Sequence, residues 1–440
     1  MTRQILLSAA LLFGAPSAFA HDHGSKTEAA DIDRSEVTLI HAGLVIADAD
    51  KRPLRRQTIV VHDGRILGME AGYVEDDEAT VIDGRDMVFL PGMIDSHVHL
   101  RGEWSPSQRL DTVVKEPEDY ALDAAANARK TLMAGFTAVQ DVGGPPAIFA
   151  LRRAVDAGKL PGPHIRASGS AISVTGGHGD ADGYRADILD MVFASETVCD
   201  GVADCRRAVR QAVKRDADVI KITATGGVLS NTDAGTGQQF FDDELSAIMD
   251  TAALMGRKVT AHAHGQDGIE AAVRAGVDSI EHGTYLDDRT ARLMVENDVV
   301  LVPTVLAGAT VTDWATNYDF LPPASAKKAL EVGPQMEEML GIAHRNGVTI
   351  AFGTDTGVSP HGENAQEFRY MERAGMSERE MIASATKIAA EHIGMADKIG
   401  TLEPGKHADI IAVDGNPLDD ISELEDVDFV MKGGVVYKSP

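Results

Sequence analysis

At 440 residues the chain is too long for one small domain, but it suits a barrel of roughly 250–300 residues plus a smaller module. Hydrophobic residues make up 44% and charged residues 25%, the balance of a folded chain with ample core. With 41 Lys+Arg against 68 Asp+Glu the net charge is −27, which argues against nucleic acid or an anionic membrane as partner, because phosphates repel such a surface.

Residues 1–20, MTRQILLSAALLFGAPSAFA, combine Arg3, an apolar stretch from Ile5 and an Ala18-Phe19-Ala20 cleavage motif. This reads as a secretory signal peptide, too short and wrongly flanked to span a bilayer. It implies an exported chain cleaved after Ala20, periplasmic or secreted, with no membrane partner once the signal is removed. Residues 21–35 are polar and read as a disordered tail, in which His21 and His23 are solvated rather than metal ligands.

Residues 36–88 hold short strands and turns: TLIHAGLVIA, then TIVVHDGRILGME with Asp63-Gly64 at a hairpin turn. Residues 396–440 have the same character, HADIIAVDG followed by VDFVMKGGVVYK with Gly433-Gly434 at the turn. The two chain ends are therefore expected to build one small β-sandwich. Between them, residues 89–395 alternate strands with helices, and helices end in Gly135, Gly256, Gly276 and Gly347 just before the next strand. Eight strand candidates follow in order: VFLPGMIDSHVHL, FTAVQDVG, HIRASGSAIS, DVIKITATG, KVTAHAHG, DSIEHG, VVLVPTV and TIAFGTDTG. Eight βα units predict an α/β fold with a (β/α)8 barrel. A doubly wound open sheet would carry a Gly-rich phosphate loop after its first strand, and none is present. The two cysteines, Cys199 and Cys205, leave two readings open: a short-loop disulfide in an oxidising compartment, or a spacing that fails if Cys205 already lies on a helix.

In such a barrel the chemistry sits at the C-terminal ends of the strands. His97 and His99 end the first strand, Lys221 lies in the fourth, His262 and His264 end the fifth, His282 ends the sixth and Asp355 ends the eighth. Residues two apart on a strand share a face, so His97 and His99 stand side by side. H-x-H alone is a weak metal signal, but nitrogen and oxygen donors converging from several strands suit Zn²⁺ or a similar divalent ion. His262 and His264 also share a face; His262 is favoured as the ligand and His264 as the residue facing the substrate. Lys221 interrupts an apolar run, and lysine is seldom buried without a partner. Burial beside positive charge would make it a neutral amine, able to form a carbamate with CO₂ whose oxygens bridge two metals. A Schiff-base lysine or one paired with a buried acid are the alternatives.

PGMIDSHVHL, VIKITATGG, VTAHAHG, SIEHG, FGTDTG and the tail GTLEPGKHADIIAVDGNP resemble the metal-dependent amidohydrolase superfamily, in particular its imidazolonepropionase-like and Xaa-Pro dipeptidase-like branch. The likeness runs from about Val37 to the C-terminus. It implies His97, His99 and Asp355 on a more buried metal, His262 and His282 on a more exposed one, and carboxylated Lys221 bridging them. It also implies that Asp355 is ligand and general acid/base together, and that His178, in the Gly-rich ISVTGGHGD loop, contacts the substrate and steadies an oxyanion. Two further loops are candidate lids: GVLSNTDAGTGQQF, where Val228 and Leu229 are assigned to the substrate, and VSPHGENAQEF, whose His361 is assigned to the substrate with a loop-capping role as the alternative. His164 and His344 read as structural. Exported members of the branch cleave amides before a C-terminal amino acid, including dipeptides, N-acyl amino acids and the phenylalanine amide of ochratoxin. The expected protein is thus a binuclear peptidase-like hydrolase of small amides, assembling as a homo-oligomer. A cyclic-amide hydrolase, a lactonase or a metal- or ligand-binding protein are the alternatives. Produced in a Gram-negative host, the exported protein should begin at His21 on N-terminal sequencing; an intact Met1 would overturn the cleavage reading.

Overall fold

The computed structural model describes residues 33–192, 196–231 and 235–440. The expected signal segment and cleavage motif, and His21 and His23, lie outside the described residues. The last residues of the expected tail do have structure: Asp33 caps a single 3₁₀ turn, Arg34–Glu36, by accepting from the Ser35 N–H.

The chain opens with β1 (Thr38–Val45), β2 (Leu54–His62), β3 (Arg65–Ala71) and β4 (Thr80–Pro91). Next come β5 (Met93–Val98), β6 (Phe136–Asp141), β7 (His164–Ala167), β8 (Val219–Thr223), β9 (Lys258–Ala263), β10 (Ser279–His282) and β11 (Val300–Val302). It closes with β12 (Ile410–Val413), β13 (Phe429–Lys432) and β14 (Val435–Lys438). Strands from both chain ends meet in one seven-stranded sheet, in the order β14-β13-β12-β4-β1-β2-β3. Residues just before β12 also reach the far edge of that sheet, since Ile66 N–H donates to the Lys406 carbonyl and Gly405 N–H to that of Ile66. The strands wrap a core of their own that includes Ile40, Ile59, Ile66, Phe89, Ile410 and Phe429.

The middle of the chain is α/β, as expected. β5, β6 and β7 form one parallel sheet and β8 to β11 another, with helices such as Pro117–Met133, Val202–Lys214 and Asp242–Leu254 between strands. Single parallel bridges join Ile172 to Ile222, Leu301 to Ile350 and Val98 to Thr356. Residues 350–356, the eighth strand expected from the sequence, therefore run between β11 and β5 without forming a regular strand. Their backbone turns left-handed at Asp355 (φ 58°), which interrupts a ladder. Gly135, Gly256, Gly276 and Gly347 all have positive φ at the helix-to-strand junctions, the conformation for which glycine carries no Cβ penalty.

Two expectations are resolved by the local backbone. VFLPGMIDSHV is not one strand: Pro91 ends β4, Gly92 turns, and Met93 begins β5. Cys199 and Cys205 form a disulfide with Cα atoms 4.9 Å apart; Gly201, at φ 80°, lets the chain turn into the helix so that Cys205 in its first turn faces back. No helix among the described residues is long and apolar enough to cross a membrane. At Gly92 a Cβ would stand 2.1 Å from Thr137 Oγ1, so Gly92→Ala should overpack the junction and cost about 1–3 kcal/mol. Thermal unfolding measures this, and an unchanged Tm would show that Thr137 yields freely.

Candidate active site

Parallel strands bring the candidate donors to one end of the framework. His97 on β5, Lys221 on β8, His262 on β9, His282 on β10, and His99, His264 and Asp355 just beyond their strands all line one cavity of about 1080 Å³. His178, Val228 and Leu229 line it too. Two groups offer ligand atoms within 4.8 Å of one another: His97 with His99 and Asp355, and His262 with His264 and His282. The groups adjoin, since the His97 and His282 ring centres lie 5.1 Å apart.

Most of the imidazoles are held at Nδ1. His97 Nδ1–H donates to Glu281 Oε2 at 2.6 Å and His99 Nδ1–H to the Gly143 carbonyl at 2.7 Å, which leaves each Nε2 lone pair free to face the cavity. His282 Nδ1 and Thr304 Oγ1 are 2.7 Å apart, as are His264 Nδ1 and Thr284 Oγ1, and His178 Nδ1 and Ser230 Oγ. Asp355 Oδ1 lies 3.0 Å from His99 Nε2 and 3.5 Å from His97 Nε2, yet makes no hydrogen bond to either. Carboxylate and imidazole atoms that converge without mutual hydrogen-bond geometry suit a shared cation.

Electrostatics agree. Burial, reinforced by the other histidines, drives His262 and His282 well below the ordinary imidazole range, so both are neutral at pH 7 and able to offer a lone pair. Burial takes His264 to about 3 and, with help from Lys221, His178 to about 4. Burial also lowers Lys221, against the pull of Glu281 and Asp355, and its Nζ has no hydrogen-bond partner among the described residues. His262 Nε2 is likewise buried and unpartnered. Each such orphan costs about 1–3 kcal/mol, a cost that ligation to a divalent ion would remove. The residues present therefore fit metal. The backbone carries strain at the same place: His282 (φ 70°), Thr304 (φ 52°) and Asp355 (φ 58°) are all left-handed, at about 1–3 kcal/mol each.

The profile of the amidohydrolase family matches residues 88–437. Ochratoxinase of Aspergillus niger is 34% identical over 435 residues, covering 93% of this chain and 88% of its own. The solved structure of a Xaa-Pro dipeptidase with methionine in its active site superimposes with a TM-score of 0.87 at 41% identity, over 92% of this chain and 100% of that one. A prolidase complexed with N-methylphosphonate-L-proline gives 0.84 at 33% identity, with coverages of 92% and 100%.

The chain belongs to the amidohydrolase family.

This amidohydrolase is a hydrolase of amide bonds, and its His/Asp clusters fit the divalent metal such catalysis uses. Among the residues assigned to the substrate from sequence, His361 is placed elsewhere. Its Nε2 is 3.2 Å from the His99 carbonyl, its backbone N–H donates to Glu103, and it does not line the cavity. The short Pro360–Gly362 turn carries the ring behind His99 instead of over the mouth. His344 lies apart, 3.3 Å from Glu380.

Sequence reasoning missed the residues that hold the donors. Glu281, in SIEHG, keeps a carboxylate in the core: burial pushes its pKa up, but His97 outweighs this and holds it at about 2. Asp95, in IDSHVH, accepts from the N–H groups of His97 and Thr354 and from Thr354 Oγ1 and Asn364, tying β5 to residues 350–356. Acidic residues inside otherwise apolar strands were the available signal. Glu281→Gln removes the anionic partner of His97 and should lower metal affinity or activity about 10–100-fold. Metal titration with parallel assays checks this, and wild-type affinity would show that His97 needs no such partner.

Proposed function

We propose that this amidohydrolase is a binuclear enzyme that hydrolyses the amide bond before a C-terminal amino acid, with dipeptides, N-acyl amino acids and ochratoxin-type amides as its substrate class. The observation that carries this reading is the pairing of the donor cluster with Arg101 on one cavity. Arg101 lines the wall two residues past His99 and has no salt bridge or hydrogen bond among the described residues. Neighbouring cations are engaged already: Lys115 with Asp111 and Asp123, Lys130 with Glu103, and Arg109 with the carbonyls of Asp182 and Gly183. An uncommitted guanidinium beside the reaction centre suits a substrate carboxylate, which it can bind bidentately. The names of the relatives, ochratoxinase, Xaa-Pro dipeptidase and a prolidase holding a proline phosphonate, support the same class.

In this reading His97, His99 and Asp355 would hold one ion, His262 and His282 would hold the other, and Lys221 would contribute to both as a carbamate. The imidazole-rich donor set would favour Zn²⁺. Divalent ions here would supply Lewis acidity, making a water nucleophilic near neutral pH and polarising the scissile carbonyl. The chain's own residues do the rest. Burial works to raise the Asp355 carboxyl, but His97 and His99 outweigh it and hold it well below the carboxylate range. It is therefore an anion that can take the proton of the attacking water and pass it to the leaving amine. His178, neutral and stacked 4.2 Å over His262, accepts a hydrogen bond from the Ser230 hydroxyl at Nδ1 and offers its Nε2–H to the tetrahedral oxyanion. His264, Val228 and Leu229 shape the pocket around the substrate. The parallel strands are read as a closed (β/α)8 barrel, supported by the Ile172–Ile222 bridge on one side and the two bridges through residues 350–356 on the other, and the seven-stranded sheet as a β-sandwich, supported by its self-enclosed core. Export is supported by the disulfide, and assembly into a homo-oligomer is part of the proposal.

The test is steady-state hydrolysis of Xaa-Pro, Xaa-Arg, Xaa-Phe and N-acyl amino acids against their carboxamide counterparts and lactones, before and after chelation. Hydrolysis confined to free carboxylates and lost on chelation is the expected result; equal rates on carboxamides, or preference for lactones, would overturn the substrate class. Asp355→Asn should keep bound metal while kcat falls about 10²–10⁴-fold.

A further inference from the structure

A second constellation of donors lies at the opposite end of the strands. His164 begins β7, whereas the active-site donors stand at or beyond the C-terminal strand ends, and it faces His407 and Asp409, which immediately precede β12. Ligand atoms of His164, His407 and Asp409 all lie within 4.8 Å of one another. The two imidazole ring centres are 5.2 Å apart. Asp409 is 3% exposed, and its Oδ1 accepts from the Gly433 N–H at 2.8 Å. Its Oδ2 lies 3.1 Å from His164 Nε2, yet both atoms are buried without a hydrogen-bond partner among the described residues. A protonated His164 would direct its N–H at Oδ2, and the approach lacks that geometry. The nearby Lys432 ammonium stands on the Gly162 carbonyl, 2.9 Å away, so it does not close the carboxylate either. Asp355 and His99 show the same signature in the cavity: a buried oxygen and an imidazole nitrogen converge without bonding to each other.

We propose that His164, His407 and Asp409 form a separate site for one divalent transition-metal ion of the Zn²⁺ class, clasping the seven-stranded sheet to the parallel-strand framework. Two imidazoles and one carboxylate are a three-ligand set for such an ion, with water in the fourth position. Ligand atoms on one tetrahedral ion stand about 3.4 Å apart; the His164–Asp409 pair is already at that spacing, and His407 reaches it by a side-chain adjustment. The His164 side chain is 18% exposed, which leaves a route for the ion and for the fourth ligand. A divalent ion would give the buried Asp409 carboxylate a direct ligand bond in addition to the ion pair with His164. His164 belongs to β7 and Asp409 leads into β12, so the ion would link two parts of the chain more than 200 residues apart in sequence.

Full-length protein loaded with Zn²⁺ and freed of unbound ion by gel filtration provides the test, by elemental analysis. His407→Ala and His164→Gln should each hold one equivalent less than wild type, melt at lower temperature than wild type in Zn²⁺, and retain wild-type amide hydrolysis. Wild-type metal content in both variants would overturn the site. The converse variant, His97→Ala with His262→Ala, breaks the cavity cluster and should still bind one equivalent of Zn²⁺. Binding of none by this variant would also overturn the proposal, whatever the active centre proves to hold.

Discussion

An imidazole can present one nitrogen to an ion in a fixed direction only if its other nitrogen is held, and this constraint organises the cavity. Glu281, the Gly143 carbonyl, Thr284, Thr304 and Ser230 hold His97, His99, His264, His282 and His178 at Nδ1. Each of these partners comes from a different strand or loop than the ring it holds, or from beyond its strand's end. The donor set is therefore only as precise as the register between elements. Glu281 and His282 illustrate this. Adjacent residues on a regular strand point to opposite faces, but the left-handed backbone at His282 breaks the alternation, so that Glu281 meets His97 while His282 meets the cluster.

The same requirement spreads outward through the frame. Thr304 directs its hydroxyl to His282, and so the helix it precedes, Val305–Asn317, has no side-chain cap from that residue. Glu367 takes over, accepting from the N–H groups of Val305 and Leu306 at 2.9 and 2.7 Å. Asp95 does the equivalent work on the other side, fastening β5 to the irregular residues 350–356 that carry Asp355. Strained backbone, orphaned nitrogens and carboxylates held inside an apolar frame would all be liabilities in a purely structural core. Where they gather around the cavity, the fold gives up stability for binding.

Part of this was legible in the sequence. Strand periodicity placed His97 beside His99 and His262 beside His264, and glycines at helix ends marked the βα units. That works because both signals are local: a period of two and a left-handed cap need no knowledge of the rest of the chain. The holding residues were not legible, because Glu281, Asp95 and Thr304 acquire their roles from partners across strands. His361 looked like a lid residue from its loop composition, but the turn that carries it under His99 is set by contacts with Glu103 and the His99 carbonyl.

The order of βα units, the identity of the donors and the anomaly of a lysine inside an apolar strand were therefore determined by the sequence alone, since each follows from the chemistry of neighbouring residues. Tertiary structure decided which nitrogens face the cavity and which carboxylates hold them. It also decided that the eighth strand is irregular, that Cys199 reaches Cys205, and that Arg101 lines the cavity with no salt bridge or hydrogen bond among the described residues. The reason is physical: orientation, pairing and burial are properties of elements packed against one another, and nothing within a short window of sequence specifies them.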